Sequence, residues 1–359
     1  MESIFRKLSS LSATLILILL SAIFVVLFLY AKPAIKEYGL HFLIDPRWDV
    51  TVEVNTPKNT DKIQKDKSVT ASSNDTIPTD SEDIAVPTDS EDIAIPQDDE
   101  DIAIPQDDDD IAVPQDNDDI AAAGDVQTET NVKTVYGGLI PIVGTVLSTI
   151  LAMLFAVPIA MGIAIFLSEI APPFIAKPVG IAIELLAAIP SIIYGMWGLF
   201  YFGPLVADVF GGSSVSLLVA GMVLAVMIIP FMASLTRDSM NTTPNVLKES
   251  AYAMGATKFE VIKDVIFPYA KQGIIGSMIL ALGRALGETM AVAFVIGGVF
   301  SFPHKLTDPT VSIPVVLANS FAESSGMSLN ALFYLALILF VISFAVISFA
   351  KFYFLREKK

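Results

Sequence analysis

Two charged side chains stand inside an otherwise apolar stretch, Arg284 and Glu288, between Gly273 and Val299. Four positions apart on a helix, they would share one face and could pair. Near the middle of a membrane span, a lone Arg or Asp costs roughly 2.5–3.5 kcal/mol even on a lenient insertion scale. Residues carried at that cost face a bundle interior or a water-filled path. The Arg fork of donors matches the oxygens of phosphate, with Glu288 holding it oriented until an anion competes. A purely structural pair would serve the same residues: Gly283 and Gly287 form a small-xxx-small seam, and buried pairs are weak evidence for function.

The second chemical stretch is the polar loop from Leu235 to Gly273, about 39 residues long. Loops of that length are functional or disordered, and this one is not of low complexity. Pro244 to Lys258 is amphipathic, with Val246, Ala253, Met254 and the following Phe259 set among Lys248, Glu249 and Lys258. Gly255 permits a turn or a close backbone approach, and Pro268 is expected to stop the following helix before the membrane. The pattern predicts a docking element. No G-x-x-x-x-G-K-[ST] phosphate loop occurs in the chain, so any ATP is expected on a partner subunit and no cofactor on this one.

Composition identifies the elements that must hold these residues. Of 359 residues, 53% are hydrophobic and 17% charged, with a mean hydropathy of +0.65. The formal charge of −16 is local: Thr79 to Ile120 contains 17 of the 38 acidic residues and no Lys or Arg, and the remainder nearly balances 22 basic residues. A basic nucleic-acid-binding protein is excluded. The absence of Cys removes disulfides and thiolate metal sites. His41 and His304 are too few for a histidine metal centre and read as surface residues of external loops.

Six windows are long and apolar enough to span a bilayer: Leu11 to Tyr30, Gly137 to Leu167, Pro178 to Gly203, Ser214 to Ala233, Gly273 to Val299 and Asn330 to Ala350. The first is too long for a signal peptide and is followed by no convincing cleavage site. Glu184, near the start of the third, is expected to reach headgroups. Trp197 and the Phe-rich sixth window are read as packing groups. Lys and Arg concentrate at the N-terminus, in the loop after the fourth window and at the C-terminus, which predicts both termini inside. The division is 1–31 tail and first helix, 32–136 external loop, 137–354 transmembrane domain with a cytoplasmic loop at 235–272, and a 355–359 tail. Within the external loop, residues 79–120 repeat a nonapeptide, TDSEDIAVP and its variants. Without a turn-forming Gly, and with Pro in every full repeat, a disordered linker is expected rather than a calcium array.

The order Glu249-Ser250-Ala251, Gly255 and Val265-Ile266-Phe267-Pro268 resembles the EAA motif of ABC-importer permeases, with Ser250 and Phe267 as mild departures. Gly283 to Val292, Ile189 to Gly195 and Ser234 to Asp238 are similar to a permease subunit of the phosphate-specific ABC transporter family. The resemblance implies an all-α integral membrane, type I ABC importer permease (MetI-like) fold in the bacterial inner membrane. It implies ATPase contact at Glu249, Ser250, Ala251, Gly255 and Pro268, and phosphate passage at Arg284 and Glu288. It further implies a second homologous permease, a cytoplasmic ATPase dimer and a periplasmic or lipid-anchored phosphate-binding protein as partners. The family runs from the region of Trp48 almost directly to Tyr136; here about 85 residues intervene. Import of molybdate or sulfate, an ion-coupled secondary carrier and a signalling scaffold are the other readings.

Overall fold

The computed structural model describes residues 2–53 and 132–355. Among them six helices are long and apolar enough to cross a membrane. The central one is α6, Leu217–Asn241, begun by Ser216, whose hydroxyl accepts the Val219 N–H. It packs most extensively on α2, Leu139–Ile165. From Gly144 to Ala164 every third or fourth residue of α2 is a buried Gly, Ala, Ser or Thr. Small side chains at that spacing let two backbones approach in a membrane, where van der Waals contact replaces the hydrophobic effect. The helix widens into a π-helical turn at Phe166–Ile170.

The outer helix α1, Glu2–Tyr38, packs on the last, α12, Gly326–Leu355. Its flank from Leu11 to Tyr30 is a run of exposed Leu, Ile, Val and Phe, as a lipid-facing helix requires. Between α1 and α2 the chain forms a two-stranded antiparallel ribbon, β1 (Val50–Glu53) with β2 (Val132–Val135), in the register Val50↔Val135 to Glu53↔Val132. Trp48 lies edge-on to Tyr136 at 5.4 Å and stacks on Phe300, and Tyr136 donates to Asp49 at 2.9 Å. Glu53 and Val132, which flank the extra residues, are thus held side by side at a narrow neck, close to where Trp48 meets Tyr136. Beside the neck the Arg47 guanidinium holds the Asp45 carboxyl below the usual carboxylate range. The acidic repeat at 79–120 lies outside the described residues.

The third expected span is displaced. Pro173–Ala187 forms a separate helix, α3, and the chain breaks at 188–190. The membrane-length helix is Ser191–Phe210, comprising α4 (Ser191–Trp197), a π-helical turn and α5 (Gly203–Phe210). The Glu184 carboxylate accepts from Arg237 of α6 at 2.8 Å, tying α3 to α6 while its side chain stays exposed.

The fifth span also differs from expectation. After the short helices α7 (Asn245–Ala253) and α8 (Lys258–Glu260), the chain continues without a stop through a π-helical stretch, Val261–Ile266, into α9, Phe267–Leu286. Pro268 therefore does not end the helix. A proline lacks the N–H for the turn behind it and crowds that turn's carbonyl, and the widened turn before it accommodates both defects. The true interruption comes at 287–289, before α10 (Met290–Val295); α11 (Ile313–Ser320) follows on the neck side.

Candidate functional site

Two helix interruptions lie side by side in the bundle. α4 begins after Pro190 and α10 after Thr289, and the two pack together. Gly195 makes the contact possible, because a Cβ there would lie 2.9 Å from Ala291 Cα and 3.0 Å from its carbonyl oxygen. Freed backbone groups within a membrane need partners. At the first break the Tyr194 hydroxyl donates to the Leu186 carbonyl at 2.8 Å. At the second, a Glu288 carboxylate oxygen accepts the Ala291 N–H at 3.1 Å and so caps α10.

Arg284 and Glu288 are consequently not an ion pair on one helix face. The helix ends at Leu286, so the four-residue spacing no longer stacks the two side chains. Arg284 occupies the last turn of α9, partly buried, its guanidinium 5.3 Å from the centre of the Phe231 ring and within electrostatic reach of Tyr194. Among the described residues no carboxylate pairs with it. The resulting arrangement is a cation held on an aromatic face beside two helix breaks, its donors uncommitted to any carboxylate. Such a group can bind an anion without first breaking a salt bridge.

The second cluster is at the far end of α2 from the neck. Glu249, Ser250 and Gly255 are exposed on and after α7, with Val246 and Met254 70% and 83% exposed and Phe259 71%. Gly255 has φ +89°, the left-handed turn that reverses the chain after α7. Thr257 and Glu260 then form a reciprocal capping box that starts α8. Ala251 points the other way: 6% exposed, it enters an apolar cluster with Ala164, Met240, Val261, Ile266 and Ala270. Of the motif's residues it is the one that seats α7 on the protein's own body. Sequence reasoning did not foresee Lys248, whose ammonium lies 2.6 Å from the Glu169 carboxylate at the end of α2. No local signal joins residues 79 positions apart.

Comparison with known proteins places this architecture. The profile of the family described as "Binding-protein-dependent transport system inner membrane component" matches residues 141–357. A phosphate transport system permease protein PstC of Pasteurella multocida is 49% identical over 248 residues, covering 64% of this chain and 78% of that one. The protein of the same name from Haemophilus influenzae is 48% identical over 236 residues, covering 60% and 75%. A solved structure of the MetNI methionine ABC transporter, in an inward-facing conformation, is similar at 21% identity and a TM-score of 0.45 over 58% of this chain and 93% of that one. The match spans the helices that carry both breaks and the exposed loop, and the chain belongs to the family of binding-protein-dependent transport system inner membrane components, as a multi-pass inner-membrane protein.

Proposed function

We propose that this chain is a permease subunit of an ATP-driven importer of inorganic phosphate. The observation that carries the reading is Arg284, a guanidinium at a helix interruption within the bundle and free of any carboxylate among the described residues. The relatives that bear the name of a phosphate transport permease support phosphate over sulfate or molybdate. In this reading Arg284 meets the anion, and Glu288 keeps the break open and ordered beside it. Both termini and the loop carrying α7 face the cytoplasm, in accord with the distribution of Lys and Arg.

Glu249, Ser250, Gly255 and the exposed Val246, Met254 and Phe259 form the surface offered to a cytoplasmic ATPase dimer. Ala251 holds that surface in place, and Pro268 sets the π-helical turn behind it. ATP is bound by the partner, not by this chain. A second homologous permease completes the path, and a periplasmic or lipid-anchored binding protein delivers the anion at the neck side. The test is uptake of radiolabelled phosphate by cells with and without this chain, with sulfate and molybdate as competitors. Uptake that depends on the chain and resists both competitors is expected. Uptake abolished by either competitor, or unchanged without the chain, would refute phosphate as substrate.

A further inference from the structure

Glu169 and Lys248 make an ion pair that neither the anion site nor the exposed face of α7 uses. Their side chains are only 8% and 16% exposed, and the contact is 2.6 Å. Glu169 stands in the π-helical turn that ends α2, and Lys248 in the second turn of α7. Beside it, Ala251 packs in an apolar cluster, whose contacts can slide, and the polar tie of that cluster to the same turn is the weak, long Ser168 hydroxyl to Met240 sulfur bond of 3.7 Å. A charge pair withdrawn from water tolerates little sliding, because separation leaves each charge desolvated and uncompensated.

The continuous helix from Leu139 to Ile170 has 32 residues, roughly 48 Å at 1.5 Å per residue. It is therefore longer than the hydrocarbon core it crosses. Its opposite end is also fastened. The Thr145 hydroxyl donates to Pro141 and accepts the Ile313 N–H, each at 2.8 Å, holding the start of α11. A Cβ on Gly144 would collide with the Val311 carbonyl oxygen, so the two backbones touch there. The buried hydroxyls of Thr149 and Ser312, in the same region, have no hydrogen-bond partner among the described residues. Two unspent hydroxyls suit a junction that exchanges partners when it shifts.

We infer that the Glu169–Lys248 pair is a positioning link that makes α2 move with α7. Displacement of α7 is thereby carried along α2 to residues 310–313 on the neck side. The inference rests on α7 being the ATPase-contacting element.

The natural absence of Cys allows a single reporter: Asn319→Cys, exposed on α11, carrying an environment-sensitive fluorophore in the assembled transporter. Addition of ATP should change its emission. Glu169→Gln and Lys248→Met should each leave the ATPase bound and hydrolysing. The emission change, and phosphate moved per ATP, should fall about fivefold or more, the usual scale of coupling between sites. Lys248→Arg should retain the response, and Glu169→Lys combined with Lys248→Glu should restore it, which a merely misfolded protein would not do. An unaltered emission change in the single variants, or no recovery in the exchanged pair, overturns the link. An unsubstituted chain that does not retain the ATPase refutes the docking reading of α7, and the link with it.

Discussion

Replacing Arg284 by Gln separates transport from folding. In the folded protein the guanidinium gives up one aromatic contact, with Phe231 at 5.3 Å. Such a contact contributes about 0.5–2 kcal/mol. No carboxylate among the described residues is orphaned by the change, since Glu288 is engaged with the Ala291 N–H. Membrane levels and assembly should therefore stay near normal. The anion loses more: a hydrogen bond to a charged group contributes about 1.5–3 kcal/mol, which at 1.4 kcal/mol per decade is roughly 10- to 150-fold in binding or rate. Initial rates of phosphate uptake, normalised to the amount of chain in the membrane, should fall by that factor. Arg284→Lys, which keeps the charge but not the planar fork, should fall between the two. The exchange of Arg284→Glu with Glu288→Arg should not recover uptake. It moves the cation past the break, removes the α10 cap at a cost of about 0.5–2 kcal/mol, and sets a positive charge against the positive end of that helix. Near-normal uptake in either Arg284→Gln or the exchanged variant would refute the assignment.

Replacing residues 54–131 with an Asn-Gly turn should leave uptake near normal. Glu53 and Val132 are already the last paired residues of the ribbon, and a two-residue turn of that type closes such a ribbon in register. Loss of uptake at normal membrane levels would show that the acidic segment is needed for transport. Thr145→Val should lower the thermal midpoint of the purified protein more than Thr145→Ser does. The Ile313 N–H, buried against Thr145, would lose its acceptor at a cost of about 1–3 kcal/mol, whereas Ser loses only a methyl group, about 0.8 kcal/mol. Equal midpoints would show that this hydrogen bond does not hold the α2–α11 junction.

The six spans were readable because a bilayer demands about 20 apolar residues in succession, and no other requirement produces six such windows in one chain. Their ends were not readable by the same rule. The fourth window closes at Ala233, yet α6 continues through Arg237 and Asp238 to Asn241, with Glu184 of α3 accepting from that Arg. Nor could proline alone locate the breaks. Pro158, Pro230 and Pro268 lie within continuing helices, while the chain does break at Pro190 and at Gly287. The Tyr194–Leu186 bond and the Glu288 cap are what satisfy the backbone at those two places. Both contacts are local, eight and three residues apart, but they hang on a hydroxyl and a carboxylate that hydropathy periodicity does not register. The expected Arg284–Glu288 pair assumed an unbroken helix, and its failure sharpens the site. Glu288 has a structural reason to be where it is, since an uncapped helix start within the bundle would leave backbone donors unsatisfied. Among the described residues Arg284 has an aromatic face and no carboxylate, a small stabilisation for a charge partly buried in an apolar bundle. Of the two residues that attract notice in the sequence, Arg284 is therefore the one whose substitution tests the proposed anion path.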